Sequence, residues 1–282
     1  MSDPFKITGP TCLSFSTGRS SALMLWLVLQ SNKPEVIARW LIVCFGNTGK
    51  EDEASLRFWL ECSTRWRIPI IGLEYVAGPG FKVVTFNDAN RTGKPFEAVI
   101  AQRGGILPNR VSRFCSSELK TRTIHRYLRS LGWTEWDSLV GIRADEPRRV
   151  AKFRANPSPE TKSEEVHLPL AAAGIGAKDV GAFWQMQPFD LELPNHGGKT
   201  MHGNCDLCFL KPAHQVLSLI AEKPSRAVWW ATQERNAEGV AYGKADRFRD
   251  DRPSYSQMQK FAADQSDMFD PDEEAIACSC GD

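Results

Sequence analysis

The chain has 282 residues, of which 24% are charged and 42% hydrophobic, and a formal net charge of +1. That length buries a full core in one large or two modest domains, and the near-neutral balance excludes the overall basic field of a protein that grips nucleic acid across its whole surface. The longest apolar run, Ala22 to Leu29, is too short to span a bilayer, and the start, with Asp3 and Pro4, lacks a signal region, so a cytoplasmic protein with no export is expected.

In chain order, Cys12 to Phe15 reads as a short strand and Ala22 to Leu29 as a buried helix. Between them, Ser16, Thr17, Gly18, Arg19, Ser20 and Ser21 carry almost no bulk. A strand, a small-residue loop and a helix N-terminus offer free N–H groups and the positive end of a helix dipole to an anion, with hydroxyl donors and Arg19 as a cation. The plain alternative is a βα turn capped by serine. Ile37 to Phe45 reads as a strand buried on both faces and ends in Gly46 to Glu51; Glu53 to Arg65 has helical spacing, and Pro69 to Val76 is the next strand. This βαβαβ order predicts an α/β fold with a doubly wound parallel sheet, Rossmann-like, and ligands at the carboxyl ends of its strands.

Residues 77–112 read as a long loop or partial helix, Ser116 to Leu131 as a helix, and Asp137 to Ile142 as a core strand running into Arg143, Glu146, Arg148 and Arg149. A polar linker precedes a short strand over Val166 to Leu170, then a helix over Lys178 to Gln185. Pro212 to Glu222 and Pro224 to Glu234 read as helices, the second with Trp229 and Trp230 as packing residues, and residues 235–272 as polar and irregular. The expected division is a nucleotide-binding domain over 1–190 and a helical, cysteine-bearing region over 191–282.

Of eight cysteines, Cys12, Cys44 and Cys62 lie in apolar contexts and are expected in the core. Cys205 and Cys208 form a C-x-x-C, a spacing that lets two thiolates meet one metal or cluster, and Cys115, Cys278 and Cys280 are available to complete a four-thiolate site. Zinc and a 4Fe–4S cluster are not separated by this spacing alone.

Several blocks together resemble the phosphoadenosine phosphosulfate reductase family of the PP-loop superfamily. Ser16-Thr17-Gly18-Arg19-Ser20-Ser21 resembles its pyrophosphate-binding loop, although Thr17 and Ser20 stand where the pyrophosphatase form carries Gly and Asp. Asn47-Thr48-Gly49-Lys50-Glu51 is similar to its T-G loop, Gly141 to Arg149 to its G-x-R-x-x-E-x-R-R block, Leu168-Pro169-Leu170 with Asp179-Val180 to its P-L…D-V segment, and Gly203 to Cys208 to its G-C-x-x-C. The blocks keep the family's order over residues 12 to about 210, and residues 211–275 carry none of its motifs.

The resemblance implies an adenine nucleotide (phosphoadenosine phosphosulfate, adenylylsulfate or ATP) held by Ser16 to Ser21, Thr48, Gly49, Arg143, Glu146, Arg148 and Arg149. Its cluster-bearing members carry a C-C pair, a C-x-x-C and a C-terminal catalytic cysteine. Here Ser116 follows Cys115, so the implied 4Fe–4S ligands are Cys115, Cys205, Cys208 and either Cys280 or Cys278, with the remaining tail cysteine as nucleophile. The implied activity is reduction of a sulfonucleotide to sulfite with a thioredoxin-like donor. Two alternatives remain open: an ATP-dependent sulfurtransferase acting on RNA, as in the thiolating branch of the superfamily, and a nucleotide-binding cluster protein without turnover.

Overall fold

The computed structural model describes residues 3–155, 163–196, 199–200, 202–203, 205–239 and 246–264. At its centre six strands lie in the order β4-β3-β2-β1-β5-β6. β1 (Thr11–Ser14) pairs in parallel with β2 (Leu41–Asn47) and with β5 (Trp136–Val140). β3 (Ile70–Glu74) extends the sheet in parallel beyond β2, and β6 (Glu164–His167) beyond β5. The edge strand β4 (Lys82–Val84) runs antiparallel on β3.

The two-residue period of a strand divides the side chains between two layers. Leu13, Val43 and Phe45 enter a core with α1 (Arg19–Ser31), α3 (Glu53–Arg65) and α9 (Ala177–Gln185). Cys12 and Cys44 face the other way, against Leu73 and against Ile124 and Leu128 of α6 (Thr123–Ser130). Helices on both faces make this a doubly wound α/β sheet, as the element order predicts. Cys12, Cys44 and Cys62 are buried thiols of these layers. Among the described residues no helix is long and apolar enough to cross a membrane.

The structure departs from the sequence reading in four places. Residues 34–40, expected in part as strand, form α2 (Pro34–Trp40) with proline in its first turn. Proline there is pre-set for a helix, and Val36, Ile37 and Trp40 pack as one helical face on the core. The strand expected to reach Leu170 ends at His167, because Pro169 opens the short α8 (Pro169–Ala172) and has no N–H for a ladder. Residues 77–112 contain β4 and α4 (Lys94–Gln102), and the polar stretch after residue 235 contains a helix over Tyr255–Asp264.

A second core joins distant parts of the chain. Phe96, Val99 and Ile100 of α4 and Leu119 pack with Leu207, Phe209 and the late helices, including Trp230 and Tyr255. The C-terminal region is therefore built onto the middle of the chain. Trp230 is fully buried, and its indole donates to Asp206 Oδ1 at 2.8 Å; Trp229 donates to Glu97 Oε1 at 2.7 Å, so both are packing residues.

Asp251 fixes one seam of this core. It accepts from Arg249 Nη2 at 2.8 Å and from Arg110 Nη1 at 2.6 Å. The Arg249 hydrogen bond, outweighing partial burial and joined by Arg110, lowers its carboxyl to about 2. A carboxyl depressed in the folded state stabilises it above the unfolded value and loses that effect as pH falls through the folded one. Thermal melts are expected to show this contribution intact above about pH 4 and fading toward about pH 2, and Asp251→Asn is expected to flatten the curve in that window.

Candidate functional site at the carboxyl edge of the sheet

β1 and β5 are neighbours from which the chain leaves toward β2 on one side and toward β6 on the other, a topological switch point of the kind at whose carboxyl end α/β sheets bind ligands. The loop after β1 holds Thr17 at φ 59° and enters α1 at Gly18, with no side-chain cap and no acid in the first turn. The first amides of α1 are thus left without a capping carboxylate or hydroxyl, and the dipole adds positive character. The loop is braced from within. Ser21 Oγ accepts from the Ser16 N–H at 3.1 Å and donates to the Gly18 carbonyl at 3.0 Å.

β5 delivers the second wall. Gly141 lies so close to α1 that a Cβ would stand 3.0 Å from Ser21 Cα, so glycine permits the approach. Arg143 then donates from Nη1 to Ser20 Oγ at 3.2 Å and from Nε to Asp145 Oδ1 at 2.9 Å, and its backbone N–H donates to Glu146 Oε2 at 3.0 Å. Burial opposes ionisation of Asp145, but the Ala177 N–H and Arg143 outweigh it and hold the carboxyl below its usual value. Arg149 is buried; its Nη1 pairs with Glu146, while Nε and Nη2 have no partner. Arg148 is exposed.

Arg19 does not serve as the loop's free cation. Its guanidinium grips Asp190 with two bonds, at 2.7 and 2.6 Å, and also donates to the Leu193 carbonyl at 3.0 Å and Thr200 Oγ1 at 3.2 Å. The planar fork matches a carboxylate, and Arg19 ties the serine-rich loop after β1 to the segment leading toward Cys205.

The T-G loop after β2 faces the thiols. Thr48 Oγ1 lies 3.3 Å from Cys205 Sγ and 3.1 Å from Glu51 Oε1, and it accepts from the Lys50 N–H at 3.1 Å. Gly49 takes φ 77° and packs against Asn90 and Gly93, a turn conformation that a Cβ would strain. Glu51 forms an isolated bridge with Cys205, and the Asp206 N–H donates to the Lys50 carbonyl at 2.8 Å. Lys50 and Asp206 form a buried ion pair at 3.1 Å. Thr48, expected at the nucleotide, thus also contacts Cys205, while Lys50 and Glu51 of the same loop hold the Cys205–Asp206 segment.

Cys115, Cys205 and Cys208 line one small cavity with Thr48, Ser116 and Lys120, closed by Phe96, Leu119, Phe209 and Leu210. Burial first, then Glu51 and Cys208, push the Cys205 thiol well above its ordinary range, against the opposing pull of Lys120 and Thr48. Lys120 lies 3.6 Å from Glu51. The thiols come from two distant parts of the chain, Cys115 and the Cys205–Cys208 pair, and this soft donor set suits zinc or an iron–sulfur cluster. Cys278 and Cys280 lie outside the described residues. Lys120, Glu51 and Asp206 are cavity neighbours that spacing alone did not mark, since each acts through contacts far away in sequence. The group of His, Cys and carboxylate ligand atoms drawn within 4.8 Å of one another among the described residues is Asp137, Glu165 and His167, on β5 and β6; the three thiols do not reach that spacing.

No protein-family model matches the chain. It is 29% identical over 214 residues, 72% of its own length and 67% of the relative's, to the uncharacterized nin region protein ORF290 of Escherichia phage lambda. That likeness carries no activity with it.

Proposed function

We propose that the chain binds an adenine nucleotide where β1 and β5 diverge and carries out sulfur chemistry beside a thiolate-held 4Fe–4S cluster, in the manner of the sulfonucleotide reductases that its motifs resemble. The observation that supports this reading most is the gathering of Cys115, Cys205 and Cys208 on one cavity against Thr48, at the same sheet edge as the serine loop. Three thiolates with a fourth from the tail suit a 4Fe–4S cluster, with zinc as the alternative that the same soft donors accept. The two unpartnered donors of buried Arg149 suit an anionic group.

On this reading the α1 amides, Ser20 and Arg143 hold the nucleotide's anionic groups, and Arg149 neutralises charge that would otherwise repel an incoming thiolate. Cys115, Cys205, Cys208 and one tail cysteine would hold the cluster, which would supply electrostatic polarisation to the site. The thiolate of the other tail cysteine attacks the sulfur: an S–S bond forms, the S–O bond to the nucleotide breaks, and the nucleotide phosphate leaves with the electron pair. One thiolate of a thioredoxin-type dithiol protein then attacks the cysteine sulfur of this thiosulfonate, so that the S–S bond breaks and sulfite leaves with its electron pair. The second thiol attacks the mixed disulfide, which frees the enzyme cysteine and leaves the dithiol protein as a disulfide. This thiol chemistry needs a reducing compartment, and we place it in the cytoplasm.

The test is anaerobic purification with iron and sulfide analysis, followed by assay of sulfite release from both phosphosulfates with thioredoxin. Sulfite from either one is the expected result. Cluster-loaded protein that yields none overturns the reductase reading, and ATP-to-AMP turnover with a retained RNA would assign the sulfurtransferase in its place.

A further inference from the structure

The helix α7 (Pro147–Ala155) follows directly from the Arg143 loop, and in nine residues it carries Arg148, Arg149, Lys152 and Arg154 with no acid. Arg149 turns inward to Glu146, whereas Arg148, Lys152 and Arg154 are exposed. In a chain of net charge +1 this is a sharp local excess. Beside it runs a groove of about 640 Å³, lined by Ala144, Val150, Ala151, Ala155 and Ala171, with Arg154 on its wall. Helical spacing puts Arg154 in the row of Val150 and Ala151, and Arg148 and Lys152 in the row of Ala151 and Ala155. The groove is therefore lined mostly by small side chains, with Arg154 on its wall and exposed Arg148 and Lys152 on the same short helix. Its inner end, Ala144, adjoins Arg143, which touches Ser20.

We propose that α7 and this groove form a binding site for single-stranded nucleic acid that adjoins the nucleotide crevice. A floor of small apolar side chains lets base faces approach in van der Waals contact, and the Arg154 guanidinium can stack on a base while the neighbouring cations pair with phosphates. A membrane surface fits poorly, because the large exposed hydrophobic side chains of the protein, such as Val111 and Met186, lie elsewhere. An acidic peptide would use the cations and leave the alanine floor unfilled. The proposal stands independently of the sulfur chemistry and uses the nucleotide reading only for what lies at the groove's inner end.

The test uses the full chain, with fluorescence anisotropy of labelled oligoadenylate and oligouridylate of about twelve nucleotides, as RNA and as DNA. ATP binding is measured separately. Three phosphate contacts predict that log affinity falls with log salt at a slope of about −2 between about 50 and about 200 mM. The double variant Lys152→Ala/Arg154→Ala is expected to weaken oligonucleotide binding about tenfold at the low-salt end and to bring the slope to about −0.7, while ATP affinity holds. RNA and DNA arms that differ would identify the strand read by the groove. The proposal is overturned by oligonucleotides that do not bind, by a double variant with unchanged affinity and slope, or by α7-dependent binding confined to phosphatidylserine vesicles. Loss of ATP binding alone, with the salt-dependent oligonucleotide binding intact, would sink the nucleotide reading and leave this one standing.

Discussion

Serine in place of Cys205 is expected to reduce iron and acid-labile sulfide in anaerobically purified protein to background, while nucleotide binding persists. Cys205 is fixed by its surroundings: it contacts Thr48 Oγ1 at 3.3 Å, bridges Glu51, and lines the cavity shared with Cys115 and Cys208. A hydroxyl is a hard, weakly acidic donor, and it replaces a thiolate poorly for iron or zinc. Burial, with Glu51 and Cys208, keeps the metal-free thiol protonated. Metal uptake must therefore displace a proton, and the apparent affinity should rise about tenfold per pH unit for each thiol proton displaced. Cys62→Ser supplies the control. It buries a hydroxyl on the core face of α3 and should cost about 1–3 kcal/mol of stability without loss of iron. Iron retained by the Cys205 variant, or lost equally from the Cys62 variant, would remove the metal centre from the cavity.

The central sheet was legible because its signals are local. Cys12 to Phe15 and Asp137 to Ile142 are short β-prone runs bounded by glycine or polar residues, and α3 shows helical spacing from end to end. The first half of the second strand was misread because Val36, Ile37 and Trp40 are β-prone residues that pack as one helical face behind Pro34. The small late helix at Tyr255 was missed because its burial depends on Trp230, Phe248 and Leu207, contacts that no window along the sequence contains. The site divides in the same way. The convergence of Cys115 with Cys205 and Cys208 could be anticipated from thiol number and motif order. The diversion of Arg19 to Asp190, 171 residues away, and of Thr48 toward the thiols could not, since both partners become neighbours only after folding.

Arg149→Met is expected to weaken adenine-nucleotide binding about ten- to hundredfold while the ligand-free protein melts no lower than the parent. The sign of the stability change is the informative part. Most substitutions at a buried side chain destabilise, because they remove contacts or open a cavity. Here the native guanidinium is about nine-tenths buried, and its Nε and Nη2 have no partner, so its desolvation is only partly offset. Methionine keeps much of the length and apolar contact of the stem and leaves no unpaired donor. Glu146 loses one partner but retains the Arg143 N–H at 3.0 Å and the Arg143 guanidinium at 3.9 Å, so no isolated carboxylate is created. A cation that costs stability in the empty protein, yet is placed beside the loop at the sheet's carboxyl edge, is what a site built for an anion requires, because the ligand completes the hydrogen bonds that the fold leaves open. Calorimetric titration with ATP and with each phosphosulfate, beside melts of the ligand-free variant, reads both effects. The exposed Arg148→Ala should change affinity far less. A marked fall in melting temperature with unchanged affinity would instead make Arg149 a structural brace for the loop after β5, and the anion would have to be held by Arg143 and the α1 amides alone.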